Sequence, residues 1–261
     1  MNNSLYIAAT GMQAQQQSID NIANNLVNVS TTGFKKSRIN FQELMHAGAS
    51  QNVTGLTGSQ SPLGIGISVD SVAKDFSPGI LTQTNSPLDI AINGNGFLEV
   101  TLADGSHGYS RGGTLQVTKD SYLATGAGHV LKPAIHIPAN ASAITIGADG
   151  KVSVQTSAQA GSPVTTTDVG HLELVNFSNP SGLKAAGSGV YTPTESSGDA
   201  VYGKPGAQGL GTFTQGALEN SNVSLVDEMV TLMVAQRAYE LSSKVAQASD
   251  EMMTMTNNLR R

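Results

Sequence analysis

The C-terminal stretch from Asn222 to Leu259 carries two regular series of apolar residues. A helix with such heptad spacing typically packs along another helix. Because an ordinary surface helix needs only one apolar face, two partly offset faces indicate more than one packing partner. A helix buried within its own domain is the alternative interpretation. The first series steps alternately by four and three residues, and the second repeats every seven: Val234, Ala238, Leu241, Val245, Ala248, Met252, Met255 and Leu259; then Leu225, Leu232, Tyr239, Ala246 and Met253.

The N-terminus shows a similar pattern, in which Gln15 is the single polar position. At a rise of ~1.5 Å per residue, the N-terminal helix is roughly 40 Å long and the C-terminal helix roughly 55 Å. Burying their apolar side chains stabilises the pair by ~1.5–3 kcal/mol each. The summed stabilisation exceeds the cost of about 5 kcal/mol for closing the loop between the two helices. We expect the two helices to pair and to leave the seven-residue series of the C-terminal helix for neighbouring copies. The N-terminal positions are Leu5, Ala8, Met12, Gln15, Ile19, Ile22, Leu26 and Val29.

These patterns predict a self-association interface built from both chain ends. Gly11 lies inside the N-terminal helix, where it costs ~1 kcal/mol relative to Ala, so it is either a tolerated defect or a point of close helix approach. Ser221 or Asn222 is expected to cap the C-terminal helix. The predicted interface residues are Leu5, Met12, Ile19, Ile22, Leu26, Leu225, Leu232, Tyr239, Leu241, Val245, Met252, Met255 and Leu259.

The composition restricts the class of protein. The chain has 261 residues, a net charge of −5 and no cysteine, which predicts no nucleic-acid surface and no disulfide or thiolate chemistry. It lacks a run of about 18 apolar residues, so we expect no membrane-spanning helix. The first Lys or Arg is Lys35, so we expect no cleavable secretory signal. Charged residues make up only 13%, which fits a surface covered by copies of itself and also fits an extracellular domain.

The middle of the chain predicts short β-strands separated by turn residues. Asn93-Gly94 lies between two apolar segments and predicts a tight hairpin. A second hairpin is predicted to place Ile144 and Ile146 opposite Val152 and Val154. The stretch before this region is rich in Gly, Ser, Thr, Gln and Asn and has no charged residue between Met45 and Val69, which predicts an extended arm.

The fold class predicted from these patterns is α+β. Long N- and C-terminal helices pair as a coiled-coil-like core, and the middle is an all-β domain, an antiparallel barrel or sandwich. The predicted divisions are residues 1–33 with 220–261 for the helical domain, 34–69 for the arm and 70–219 for the β-rich outer domain.

No pattern in the sequence indicates catalysis. The five histidines, at positions 46, 107, 129, 136 and 171, lack the spacing of metal ligands. The glycine-rich stretches lack the further residues that a nucleotide-binding loop or a nucleophile elbow requires. We therefore predict no catalytic, cofactor-binding or metal-binding residue and no cofactor, and we predict that the chain is not an enzyme.

Four segments carry a resemblance to a known family. Ala23–Lys35 and Pro87–Phe97 resemble the N-terminal signature of the rod and hook proteins of the bacterial flagellum, and Leu218–Val223 and Gln236–Glu240 resemble the C-terminal signature. The four segments occur in the right order and span nearly the whole chain. The length and the stretch from Pro133 to Val154 are most similar to the family members that build the distal rod.

The resemblance implies a structural subunit that is exported through the flagellar type III apparatus without a cleaved signal peptide. It implies a helical homopolymer, the drive shaft that transmits torque from motor to hook across the periplasm to the outer membrane. The implied partners are other copies, the proximal rod proteins, the hook protein, the surrounding P and L rings and the export apparatus. We expect the arm near residues 50–59 to stiffen the polymer.

Two alternatives stay open at this point. The chain could be another rod or hook relative, such as a proximal rod protein. It could also be a secreted binding module, with a β-domain on a coiled-coil stalk that forms a closed trimer. Filaments in concentrated protein favour the rod interpretation, and closed oligomers favour the stalk.

Overall fold

The structure is a computed structural model, and it describes residues 2–45, 64–156 and 165–259. The chain divides into two compact units. The first unit comprises Met1–Val27, Ser37–Ala73 and Ser224–Arg261, and the second comprises Asn28–Lys36 and Lys74–Val223. Both units are therefore built from stretches that are distant in sequence.

Two long helices form most of the first unit. Helix α1 spans Asn2–Val27 and helix α2 spans Leu225–Leu259. The helices pack against each other. They run antiparallel, because the end of α1 lies beside the start of α2 at Asn25 and Glu228, whose side chains are 3.4 Å apart.

The start of α2 differs from the predicted one. Ser224 is the capping residue, since its Oγ accepts a hydrogen bond from the Asp227 backbone N–H at 3.5 Å. The predicted caps, Ser221 and Asn222, lie before this residue. The Asn222 side chain instead donates to the Asp75 carbonyl at 2.8 Å, so its amide connects two segments of the second unit.

Two strands of the described residues also belong to the first unit. Strand β1 spans Ser37–Met45, strand β2 spans Gly64–Lys74, and the two form a two-stranded sheet. Asn25 attaches β1 to α1, because its side-chain amide both donates to and accepts from the Ser37 backbone, at 3.0 and 2.9 Å. The described ends of the predicted arm are thus paired strands, whereas residues 46–63, including the stretch expected to stiffen the polymer, lie outside the described residues.

The second unit consists mainly of short β-strands, with two 3₁₀ turns at Pro180–Gly182 and Glu195–Ser197. The strands are β3 (Leu81–Gln83), β4 (Asp89–Asn93), β5 (Leu98–Thr101), β6 (His107–Ser110), β7 (Gly112–Val117), β8 (Leu123–Thr125), β9 (Val130–Lys132), β10 (Ala141–Ile146), β11 (Lys151–Thr156), β12 (Thr165–His171), β13 (Leu174–Asn176), β14 (Lys184–Gly187), β15 (Val190–Thr192), β16 (Val201–Gly203), β17 (Thr212–Gln215) and β18 (Ala217–Glu219).

The largest sheet has nine strands in the order β14-β15-β6-β5-β9-β8-β7-β4-β17. Strands β10, β11 and β12 form a three-stranded sheet, and the pairs β13-β16 and β18-β3 form two smaller ones. The predicted α+β class, with terminal helices and a β-rich middle, is confirmed. The large sheet is a curled half-barrel with two edges, not a closed barrel.

The main core lies between the nine-stranded and three-stranded sheets. Residues of both contribute to it, such as Leu98 and Val100 from β5 and Val152 and Val154 from β11, all 0% exposed. In β11 the buried positions alternate with less buried ones, as in a strand with one covered face. The two sheets therefore fold around a common apolar interior.

The prediction of a tight hairpin at Asn93-Gly94 is wrong. Strand β4 pairs with β7 and β17, whereas β5 pairs with β6 and β9. A type I′ turn needs positive φ at both central residues, and only Gly94 has it, with φ of 115°. The glycine has another role, because a Cβ on Gly94 would lie 2.8 Å from the Cα of Gly211. It permits two backbones to approach closely.

The second predicted hairpin is confirmed. Strands β10 and β11 are antiparallel, with Ile144 opposite Val154 and Ile146 opposite Val152. The alternating apolar positions on both sides of a short turn were sufficient to predict this register.

Candidate assembly surfaces

The face of α2 that packs against α1 consists mainly of small side chains. On α1, the position of a Cβ on Gly11 is 3.6 Å from the Ser242 Oγ of α2, an ordinary van der Waals distance. The helices therefore approach closely at Gly11, although an alanine would also fit there. The buried and half-buried positions on this face of α2 include Leu232, Ala235, Ala238, Ser242, Ala246, Ser249 and Met253.

The predicted interface residues of α1 are largely covered within the first unit. Ile22 is 4% exposed, and Leu5, Met12, Ile19 and Leu26 are half-buried. The apolar stripe of α1 thus leaves little surface for contacts with other molecules.

The opposite face of α2 carries large apolar side chains in contact with solvent. Their exposure ranges from 38% at Tyr239 to 88% at Leu259. Contiguous exposed apolar surface of this kind marks protein contacts. We call this surface the exposed α2 face. Leu225 and Tyr239, which belong to the seven-residue series, lie at its border with the packed face. The members are Leu225, Val226, Met229, Val230, Met233, Val234, Tyr239, Leu241, Val245, Met252, Met255 and Leu259.

The packing of the two apolar series of α2 against α1 is largely the reverse of that expected from the sequence, although Ala238 of the first series is half-buried and Leu225 and Tyr239 of the second are exposed. Leu232, Ala246 and Met253 of the seven-residue series are half-buried on the packed face. Leu241 and Val245 of the four-and-three series are 62% and 54% exposed. The physical reason is packing volume, since the bulky side chains of α1 need a partner face of small residues if the two helices are to interdigitate. Sequence reasoning gave weight to large apolar residues and so missed this small-residue face.

Helix α2 also extends beyond the end of α1. It has 35 residues against 26 in α1. The residue numbers of the pairs Asn25–Glu228 and Gly11–Ser242 have the same sum, so Asn2 lies level with about residue 251. The last eight residues of α2 therefore continue for about 12 Å past the start of α1.

A buried charge cluster in the second unit connects three distant parts of the chain. Lys35 Nζ donates to Glu219 Oε1 and to the Ser77 carbonyl, both at 2.7 Å. Arg111 Nε lies 3.3 Å from Glu219 Oε2, and Arg111 Nη1 donates to the Gly96 carbonyl at 2.7 Å. All three charged residues are at most 4% exposed. The cluster fixes the segment that follows α1 beside the strand that precedes α2.

Burial is the largest electrostatic effect in this cluster. It lowers the pKa of the Lys35 ammonium, against the hydrogen bond and charge of Glu219. Burial also tends to raise the pKa of the Glu219 carboxyl, but the Arg111 charge, the Lys35 hydrogen bond and the Gly79 N–H together hold that pKa below its usual value. Because the pKa of the Glu219 carboxyl is lowered from its usual acidic value, Glu219 is ionised at neutral pH.

Sequence reasoning missed this cluster. Lys35 and Glu219 both lie in segments that carry the family resemblance, but they are 184 positions apart. No local periodicity connects residues at such a separation. The one available signal was that Lys35 is the first cation of a chain with few charges.

A cavity of about 500 Å³ also lies in the second unit. Gly, Ser and Thr residues make up much of its lining. Lys74 reaches it with Nζ 4.6 Å from the centre of the Phe34 ring and 3.1 Å from the Lys35 carbonyl. Across the described part of the chain, no group of three or more His, Asp or Glu residues could hold a metal ion. None of the helices there is long and apolar enough to cross a membrane.

Three family models match the chain. The model described as "Flagella basal body rod protein" matches residues 5–35, which include most of α1. The model described as "Flagellar hook protein FlgE/F/G D1 domain" matches residues 91–154 in the β-rich unit. The model described as "Flagellar basal body rod FlgEFG protein C-terminal" matches residues 214–259, which include α2.

Relatives match over the full length. The flagellar basal-body rod protein FlgG of Borreliella burgdorferi is 41% identical over 270 residues, with 100% of both chains covered. The chain belongs to the flagellar basal-body rod protein family. Proteins of the same name from Caulobacter vibrioides and Bacillus subtilis are 39% and 37% identical. The first covers 98% of this chain and 99% of its own length, and the second covers 100% of both.

The resemblance predicted from the four segments is thereby confirmed. The rod family is structural, so the chain is a structural component of the flagellar basal body. Membership of this family also confirms the prediction that the chain is not an enzyme.

Proposed function

We propose that the chain polymerises into the distal rod of the flagellum, and that the exposed α2 face forms the contact between copies. The observation that carries this proposal is the row of twelve large apolar side chains exposed on one helix. The coiled-coil-like pairing of α1 and α2 then belongs to each subunit. The exposed α2 face, with Leu241, Val245, Met252, Met255 and Leu259 at its centre and end, packs on helices of neighbouring subunits.

The energetics favour many contacts of moderate strength. Burying a fully exposed large apolar side chain stabilises by about 1.5–3 kcal/mol, and these side chains are already partly covered. Association costs roughly 4–15 kcal/mol in lost translational and rotational freedom. For one helix contact alone, the free energy gained by apolar burial is therefore close to the entropic cost of association. A subunit that contacts several neighbours at once gains the burial energy of each contact but loses its translational and rotational freedom only once, which makes growth of the polymer cooperative.

The proposed polymer requires a heterologous contact, in which the exposed α2 face of one copy packs on a different surface of the next. Heterologous contacts that do not close generate helical filaments. The eight-residue extension of α2 past the start of α1 offers such a contact along the filament axis.

The same proposal includes the neighbours and the location of the rod. The matched family models are shared by rod and hook proteins, which supports proximal rod proteins and the hook as partners at the two ends. We include the surrounding P and L rings and the export apparatus as further partners. The distal rod then spans the periplasm to the outer membrane, after export without a cleaved signal peptide.

The test is an Asp substitution on the exposed α2 face. Leu241 is 62% exposed, so Leu241→Asp should leave the monomer folded, because a carboxylate at that position stays hydrated. In the polymer the carboxylate would be buried without a partner. We expect polymerisation of the purified chain to be lost, measured by light scattering and negative-stain microscopy, with an unchanged circular dichroism spectrum.

Ile80→Asp is the matched control. Ile80 is 77% exposed in the second unit, and we expect this variant to form filaments at the native concentration. Normal filaments from Leu241→Asp would contradict the proposed contact. Closed oligomers from the native chain would instead favour a stalked binding module.

A further inference from the structure

The exposed α2 face is rich in methionine. Five of the eight methionines of the chain lie in α2. Met229, Met233, Met252 and Met255 have side chains that are 49–61% exposed. Met253 is half-buried on the face toward α1. The thioether sulfurs therefore concentrate on the surface that the proposed polymer covers.

From this placement we propose that Met229, Met233, Met252 and Met255 form an oxidation site that blocks assembly, an inference that rests on the proposed function. The oxidant is a hydroperoxide, with hydrogen peroxide as the simplest case. A sulfur lone pair attacks one peroxide oxygen, the O–O bond breaks and an S–O bond forms. The departing hydroxide takes up the proton of the transferred oxygen and leaves as water, so the sulfur loses two electrons and the peroxide gains them.

The product changes the surface chemistry of the helix. A sulfoxide is polar, whereas the thioether is a flexible apolar group that adapts to irregular contacts. In the contact between copies, the sulfoxide oxygens would lie among Leu and Val side chains without hydrogen-bond donors, which opposes burial. Each copy contributes four such groups, and the filament repeats the contact at every subunit.

The filament itself should resist the reaction. Oxidation of methionine depends on access of the oxidant to the sulfur. Assembly covers the exposed α2 face, so the same four residues are protected once a subunit is incorporated. Oxidation then acts on subunits that have not yet assembled.

The experiment compares the full-length chain before and after treatment with hydrogen peroxide, with catalase added to stop the reaction. Peptide mass spectrometry locates the added oxygen atoms, and light scattering gives the lowest concentration at which filaments form. We expect that concentration to rise at least tenfold after oxidation, while the helical circular dichroism signal is retained. In filaments formed beforehand, the four methionines should react at least tenfold more slowly.

The deciding variant replaces all four with leucine: M229L, M233L, M252L and M255L. Leucine keeps nearly the same volume and apolar character but cannot be oxidised. Whatever the lowest concentration at which the untreated variant forms filaments, peroxide should leave that concentration unchanged. The control is Met45→Leu, which removes an exposed methionine outside α2 (61% exposed) and should lose assembly after peroxide as the native chain does.

Two results would overturn the inference while leaving the proposed function intact. One is an oxidised native chain that forms filaments at the untreated concentration. The other is a four-leucine variant that loses assembly after peroxide as fully as the native chain. An untreated native chain that never forms filaments would contradict the proposed function, and the oxidation inference with it.

Discussion

Apolar side chains in the main sheet of the second unit contact one another, whereas those along α2 in the first unit contact solvent. Seventeen buried residues form the main core of the β-rich unit. Among the described residues of that unit, five large apolar side chains are exposed, against twelve in α2 alone. The apolar side chains of the second unit are thus mostly buried within that unit. The first unit keeps an exposed apolar surface that a neighbouring molecule can cover.

The charged residues show the same difference between the units. Lys35, Arg111 and Glu219 are buried together in the second unit, with every charge hydrogen-bonded. In the described part of the chain, α2 makes no ion pair shorter than 4.0 Å. The buried charges are stable only when each keeps its hydrogen-bond partner, whereas the exposed side chains of α2 need no fixed partner before assembly. This comparison predicts opposite sensitivities to mutation.

The largest effect on stability is expected from Glu219→Gln. The substitution leaves Lys35 and Arg111 as two buried cations without an anion, a defect that costs about 3–5 kcal/mol. Unfolding in urea, followed by circular dichroism, measures the loss. Filament formation should fail only where the second unit is itself unfolded.

Glu99→Gln is the matched control for this prediction. Glu99 is also buried (3% exposed), but its partners Lys132 and His107 have side chains that are 47% and 55% exposed. Because water can solvate those partners, we expect a loss of about 1 kcal/mol or less. Equal losses for the two variants would contradict the view that the Glu219 cluster depends on complete burial.

A pair of Leu→Ala substitutions compares the two units directly. Leu98 is 0% exposed in the core of the second unit, and Leu241 is 62% exposed on α2. Leu98→Ala should cost about 2–5 kcal/mol of unfolding free energy, since it leaves a cavity. Leu241→Ala should change that free energy by less than about 0.5 kcal/mol, yet weaken polymerisation. Thermal or urea unfolding and light scattering give the two readouts, and a large stability loss for Leu241→Ala would show that α2 is already buried in the monomer.

Local patterns predicted the elements that depend on local contacts. The four-and-three spacing predicted both long helices, and the apolar alternation of Ile144 and Ile146 with Val152 and Val154 predicted their register. The Asn93-Gly94 prediction failed because its glycine serves a contact with Gly211, which is distant in sequence. A turn motif read from the sequence does not reveal which backbone lies next to it.

The sequence predicted two apolar faces on α2 but not which of them packs against α1, and the association of both chain ends stays a prediction. The spacing showed that α2 has two apolar faces, and both chain ends were expected to associate. Which face pairs with α1 depends on side-chain volume, because Ala235, Ser242 and Ala246 give room that Leu241 and Val245 do not. The Lys35–Glu219 pair depends on how the whole second unit folds, so no spacing rule could have found it.

A small change in unfolding free energy is expected from Gly11→Ala, which tests the packing of α1 against α2. Gly11→Ala should stabilise the chain by about 0.5–1 kcal/mol, because alanine favours the helix and its Cβ would lie 3.6 Å from Ser242 Oγ. Gly112→Ala in the second unit is the contrast, since Gly112 has φ of 101° and a Cβ would lie 2.6 Å from the Ile90 carbonyl oxygen. That variant should lose more than about 1 kcal/mol. Urea unfolding distinguishes them, and a destabilising Gly11→Ala would mean that α1 and α2 approach more closely than the 3.6 Å contact allows.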